Sequence, residues 1–262
     1  MDRVVALCDT YGTFPQPLEE VLPGAGRSGA WALHVHCFLL RVAGRVVLVD
    51  AGVGPPEAPA AGWFRRPGQL LTELGRVGLA PQDVTHVVLT HLHVDHVGWT
   101  VHGSPDQLTP TFPNARHLVQ QTELAYLAPG ALYDSYVRPL RDGGLLDAVD
   151  GAARPLPGVD LMPTPGHTPG HQCVAVDLGE ETLLVTGDAF VHPAQLTDPC
   201  VGYRYEADLA VAIETRRRLL DRAARRRTVL APAHFSATFG VLEMSPGGAQ
   251  LTVRETCRHG SA

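Results

Sequence analysis

The residues best suited to chemistry gather in one short run, His91-Leu92-His93-Val94-Asp95-His96. Three imidazoles and a carboxylate follow directly on the apolar stretch VTHVVLT. If the segment is extended, alternation puts His91, His93 and Asp95 on one side, and His96 follows where the chain turns. Neutral imidazole and carboxylate suit Zn²⁺ and similar borderline cations. Without a cation, four such groups so close together would repel or lack partners. A solvated polar loop could collect these residues by chance, but three further positions argue against that. His167 lies in the Pro/Gly-rich PTPGHTPGH after an apolar run, Asp188 ends LLVTGD, and His234 ends VLAPAH. Side chains at the ends of several strands can converge on one edge of a sheet.

The elements that must position these groups read as short β-branched runs, each closed by a turn or a polar cluster. Strands are expected at residues 34–41, 45–50, 84–90, 117–120, 172–177, 182–186 and 228–231. Ala43-Gly44 and Gly179-Glu180 look like hairpin turns. Helices are expected at 67–77, 122–127, 131–140 and 206–225, the last with Leu209, Ile213 and Leu220 on one side. Strands mixed with helices predict an α/β architecture with helices covering sheets. No repeat, low-complexity tract or linker divides residues 1–262, so one domain is expected. The Pro/Ala/Gly-rich stretch 52–68 ends near Trp63-Phe64. A long loop bearing aromatics is better placed over a site than as a linker.

Composition narrows the function classes. The net charge of -6 argues against a nucleic-acid binder, which usually carries a basic stripe. The runs Arg216–Arg218 and Arg225–Arg227 then read as a solvated helix face. No apolar run approaches the ~20 residues of a membrane span, and the first residues lack the pattern of an export signal. Five Cys, an odd number without C-x-x-C, suggest reduced thiols in a cytoplasmic protein and not a disulfide framework. A small-molecule substrate is expected, with neither nucleic acid nor membrane as partner.

HLHVDH, then the His of TPGHTPGH, the Asp of LLVTGD and the late AH resemble, in identity and order, the metallo-β-lactamase-fold hydrolases. The resemblance runs from about His34 to Phe235. GDAFVHPAQL, HVGW and FPNARHLVQQTEL are similar to the branch containing methyl parathion hydrolase and the acyl-homoserine lactonases. One departure is Val191, which stands where that branch has the first of two His, so only His192 remains. The resemblance implies a four-layer αβ/βα sandwich, two mixed β-sheets with helices outside. It implies that His91, His93 and His167 hold one metal, that Asp95, His96 and His234 hold a second, and that Asp188 bridges both. Two divalent ions per chain are implied, with zinc preferred and Mn²⁺, Fe²⁺ or Co²⁺ able to take the same ligands. The resemblance also allows a homodimer.

The implied function is hydrolysis of an ester-like bond, a lactone, carboxylic ester or phosphotriester, by a metal-bridging hydroxide, with Asp95 as the catalytic residue that holds and passes on the proton. Glyoxalase-type thioesterases and mono-iron sulfur dioxygenases share the motifs, and a biosynthetic or non-hydrolytic member of the fold is a third class. Complete retention of Asp95, His96 and His234 favours two metals over one. Around the site, Asp50 reads either as the acceptor for a ligand His N–H or as a turn cap before Gly52. His171 reads as structural, and Trp99 and Trp63 as pocket walls. His34, His36, His86, His102, His117 and His259 suggest no catalytic role.

Overall fold

The computed structural model describes residues 4–257 apart from residues 65, 105, 106, 128, 246 and 247, so His259 lies outside the described residues. Among the described residues the chain forms fifteen strands. β1 (Val4–Thr13), β2 (Ala32–Val42), β3 (Arg45–Val49) and β4 (His86–Val88) begin a first sheet. β5 (Val101–Ser104) and β6 (Gln107–Pro110) form a separate ribbon. β7 (Arg116–Gln120) and β8 (Leu146–Val149) complete the first sheet in the order β1-β2-β3-β4-β7-β8. β9 (Ala153–Leu156), β10 (Val159–Pro163), β11 (Gln172–Asp177), β12 (Thr182–Gly187), β13 (Thr228–Pro232), β14 (Ala237–Ser245) and β15 (Gly248–Thr256) make the second, side by side in chain order. Both sheets are mixed. β3, β4, β7 and β8 run parallel to one another, as do β12 and β13, and the other pairs are antiparallel.

Alternation decides the layers. Phe38, Leu40, Val47, Val49 and Val88 of the first sheet pack against Val174, Val176, Leu183, Val185, Val229 and Ala231 of the second. Their neighbours in sequence, Cys37, Leu39, Leu48 and Val87, face the other way, onto Leu70 and Leu74 of a helix. Cys173, Ala175, Leu184 and Leu230 do the same beneath Leu219, Leu220 and Ala223. The result is helix, sheet, sheet, helix: the expected αβ/βα sandwich.

The helices are α1 (Leu18–Val21), α2 (Ala61–Phe64), α3 (Leu70–Arg76), α4 (Val94–Val97), α5 (Gln121–Tyr126), α6 (Arg138–Asp142), α7 (Ala194–Thr197) and α8 (Leu209–Arg225). α8 starts three residues later than the sequence suggests, because the Asp208 side chain accepts from Val211 N–H and caps it. Its buried side is Ala212, Leu219, Leu220 and Ala223, while Leu209 is exposed. Arg216 is the larger departure. It is buried and ion-paired with buried Glu206, not solvated with its Arg neighbours. The expected helix at 131–140 contains a π-turn, Tyr133–Val137, before α6, where Pro139 supplies no N–H. β4 is shorter than the expected 84–90 because the chain leaves the ladder at Leu89 to enter the metal loop. The hairpin between β2 and β3 does turn at Ala43-Gly44, both with positive φ.

A bulge interrupts β1 between Cys8 and Thr10 and frees Asp9 from the ladder. Its carboxylate accepts from Val53 N–H (2.7 Å), Leu70 N–H (2.8 Å) and the Trp99 indole (3.0 Å). One buried side chain thus joins the loop after β3, the start of α3 and the segment after α4. Burial pushes the Asp9 pKa up to about 6, against the pull of those donors. Because that lies above the ordinary 3.8, charging Asp9 works against the fold. Its stabilisation is whole below about pH 4 and falls as pH rises through about 6. Asp9→Ala leaves three donors unmet and is expected to cost about 3 kcal/mol or more, with a larger cost at about pH 4 than at about pH 8. Urea unfolding of both proteins across this range checks it. A cost below about 1 kcal/mol, or one that grows with pH, would contradict the assignment.

Candidate metal centre

The sandwich brings the ends of β3, β4, β10, β12 and β13 to one edge, and the seven residues singled out in the sequence meet there. Their donor atoms form two groups, His91, His93, His167 and Asp188, and Asp95, His96 and His234, each within 4.8 Å of one another. Asp188 lies between them. Its Oδ2 faces His167 Nε2 (3.2 Å) and His91 Nε2 (3.9 Å), and its Oδ1 faces His234 Nε2 (3.0 Å) and His96 Nε2 (3.2 Å). Asp95 Oδ2 lies 3.6 Å from His234 Nε2 and 3.8 Å from His96 Nε2. His167 Nε2 and His93 Nδ1 are 2.9 Å apart. Six of the seven are buried.

The surroundings fix which nitrogen each imidazole presents. His96 Nδ1–H donates to Asp50 Oδ2 (2.8 Å), and His234 Nδ1–H donates to the His34 carbonyl (2.7 Å). Thr90 Oγ1–H donates to the same Asp50 oxygen (2.9 Å), so Thr90 Oγ1 accepts from His91 Nδ1–H (3.0 Å). Each of these rings therefore turns an Nε2 lone pair inward. His91 Nε2 is left buried without a hydrogen-bond partner, and Asp188 Oδ1 faces the inward lone pairs of His96 and His234, a costly state unless a cation satisfies them. Burial holds His91 and His167 well below the ordinary imidazole pKa. Burial acts on His96 in the same direction, yet Asp188, Asp50 and Asp95 outweigh it and draw a proton there, raising its pKa well above the ordinary value. Divalent ions would relieve both conditions, so the residues present fit a metal pair.

Asp50 has the left-handed φ of +61°, a strained value for a non-glycine residue. It is tied down by Thr90 N–H (2.7 Å) to its Oδ1. Of the two roles open to it, the structure gives the contact to His96. His171, read as structural, orients the centre through Asp188, whose N–H donates to His171 Nε2 (3.1 Å). Burial brings the His171 pKa down to about 4, which keeps Nε2 an acceptor. Gly187 is required beside it, since a Cβ there would come within 2.7 Å of His171 Nε2. Glu123 gave no signal in the sequence. It is buried, accepts from Leu92 N–H (3.0 Å), Thr168 Oγ1–H (2.7 Å) and Gly170 N–H (3.0 Å), and so clamps the two His-bearing loops together.

A cavity of about 500 Å³ opens onto His93, Asp95, His167, Asp188 and His234, walled by Phe14, Leu33, Trp63, Leu132, Tyr203 and Tyr205. Trp63 of the 52–68 loop thus faces the site, while Phe64 is buried in the cluster behind it. Trp99 does not line the cavity and is instead the donor to Asp9. His192 is also absent from the cavity wall; its Nδ1 accepts from Ala194 N–H (3.1 Å) and holds a turn. Val191 is core, packed with Trp31, Leu33 and Val201. Tyr203 lies parallel to His167, ring centres 5.9 Å apart. Burial, followed by Asp188 and Asp95, holds its phenol well above the ordinary value, and so neutral.

Residues 30–234 match the model of the metallo-beta-lactamase superfamily, and the chain belongs to that family. A probable metallo-hydrolase of Mycobacterium tuberculosis is 34% identical over 197 residues, 63% of this chain and 59% of that protein. The match thus spans less than two thirds of the mycobacterial protein's length. An N-acyl homoserine lactonase of Bacillus thuringiensis is 29% identical over 196 residues, 69% of this chain and 73% of its own. In fold, the chain matches AidC, a dizinc quorum-quenching lactonase, with a TM-score of 0.80 at 19% identity, covering 97% of this chain and 95% of AidC.

Removing a partner that orients a metal-binding His typically weakens metal affinity 10–100-fold. Asp50→Asn is therefore expected to weaken one of two bound ions by roughly that factor and leave the other unchanged, as read by chelator competition. Equal weakening of both, or of neither, would contradict the role given to Asp50.

Proposed function

We propose that this chain is a dinuclear metal-dependent hydrolase of ester-like bonds, with a lactone, carboxylic ester or phosphotriester as substrate class. The observation that carries the reading is Asp188, with one carboxylate oxygen toward each group of imidazoles. His91, His93 and His167 would hold one ion, Asp95, His96 and His234 the other, and Asp188 both, with zinc the preferred metal. When bound, such a pair acidifies a shared water toward pKa ~7 and polarises the substrate oxygen.

The chain's own residues supply the rest. The aromatic and aliphatic cavity wall binds the apolar part of the substrate and excludes water. Asp95 is the carboxylate of the second group that lines the cavity. It holds the nucleophile's proton at Oδ2 and passes it to the leaving oxygen. Tyr203, neutral at the cavity wall, donates its phenol hydrogen to the oxygen on which charge develops. The likeness to an N-acyl homoserine lactonase supports a lactone within this class, and the apolar wall suits an acyl chain.

The test pairs metal analysis with turnover of a lactone, an aryl ester, a thioester and a phosphotriester, before and after chelation. Two ions per chain and chelator-sensitive turnover of an oxygen ester are expected, strongest for the lactone. Turnover of the thioester alone would move the assignment to a glyoxalase-type enzyme. Metal-loaded protein inert to all four would favour a biosynthetic or non-hydrolytic role. Tyr203→Phe is expected to lower kcat on the order of 100-fold with KM little changed. A change confined to KM would make Tyr203 a binding residue only.

A further inference from the structure

Two histidines that suggested no role in the sequence belong to a second cluster of metal-binding type. Cys8, His34, His36 and Cys257 are all buried, and one donor atom from each lies within 4.8 Å of the others. The topology brings them there for separate reasons. Cys8 and His36 are directly opposed across β1 and β2, and the β1 bulge follows at once. His34 is two residues along on the same face of β2, its ring stacked on His36 at 5.5 Å between centres. Cys257 arrives after β15, where its N–H donates to the Ser236 carbonyl (2.9 Å).

The ring nitrogens of His36 and Nδ1 of His34 are fully enclosed and meet no nitrogen or oxygen partner, and the polar side chain acting on His36 is the Cys257 thiol. A pair of stacked imidazoles sealed away from water, with a cysteine thiol as the polar group beside His36, is expensive as a packing device alone.

We propose that Cys8, His34, His36 and Cys257 form a closed Cys₂His₂ site for one thiophilic divalent ion of the zinc class, separate from the seven-residue centre. Zn–S of ~2.3 Å and Zn–N of ~2.0–2.1 Å place tetrahedral donor atoms roughly 3.3–3.8 Å apart, a spacing that fits inside the 4.8 Å within which all four donors lie. Four protein ligands leave no open position, so the ion is structural. Both thiols would give up their protons on binding. The site lies directly behind the other one. The His34 carbonyl accepts from His234 Nδ1–H, and His36 N–H donates to the Ala233 carbonyl (2.9 Å). An ion here would therefore fix the strand that orients His234.

X-ray absorption at the zinc edge separates this site from the other, because the seven-residue centre has no sulfur donor. The protein is prepared under reductant as Cys200→Ser, which removes the exposed thiol, and is loaded with excess zinc and desalted. The expected result is a Zn–S shell at ~2.3 Å and one ion per chain beyond the content of Cys8→Ser/Cys257→Ser, which loses that shell. Zinc-loaded protein without sulfur scattering overturns the proposal, and so does a Cys8–Cys257 disulfide found by peptide mapping of the reduced preparation. Because the wild-type ligands give the sulfur signal directly, the result stands even if the double variant fails to fold. It is equally independent of whether the seven-residue centre turns over any ester.

Discussion

The position of the Asp188 carboxylate governs the rest of the structure. Its side chain lies in a nearly closed interior with imidazole nitrogens at 3.0–3.9 Å on both sides. Burying ionisable groups so densely costs several kcal/mol each unless opposite charge compensates them. Without a cation, the carboxylates draw protons onto His96 and His234 while His91 and His167 stay neutral. The four-layer frame must therefore pin both sides of one carboxylate, because a shift of either sheet edge would separate the two groups.

The frame does this with backbone contacts more than with packing. Ala51 N–H donates to the His96 carbonyl, and Gly98 and Trp99 N–H donate back to Gly52 and Ala51. The turn carrying Asp95 and His96 is thus stitched to the strand end carrying Asp50. Asp9 holds the far side of that stitch, and Glu123 holds the loops of His91, His93 and His167. Where the loops pass closest, only hydrogen fits: a Cβ on Gly170 would lie 2.1 Å from Glu123 N. Catalytic groups need this support to stay within reach of a reactive geometry.

The legibility of this arrangement in the sequence follows the range of the forces involved. The seven site residues could be read because each follows an apolar strand and each is of a type that binds metals. The inner strands could be read because burial on both faces gives them continuous apolar runs. β1, β14 and β15 gave weaker patterns. β1 changes face at its bulge, and β14 carries Gly240 at its centre, where Leu251 fills the space of a side chain. Asp9 and Glu123 look like ordinary surface acids because their partners, mostly backbone N–H groups, lie 31 to 90 residues away. Arg216 misled for the same reason: its partner Glu206 precedes the helix instead of lying one turn along it. Trp99 neighbours the metal loop in sequence, but α4 turns its indole to the opposite side.

The most direct test of the central claim is a crystal structure of the zinc-loaded protein with anomalous scattering measured at the zinc edge. The account predicts two peaks inside the seven-residue cluster, about 3.5–4 Å apart, one facing each oxygen of Asp188. A single peak there, or two peaks that leave Asp188 outside the shared position, would contradict it.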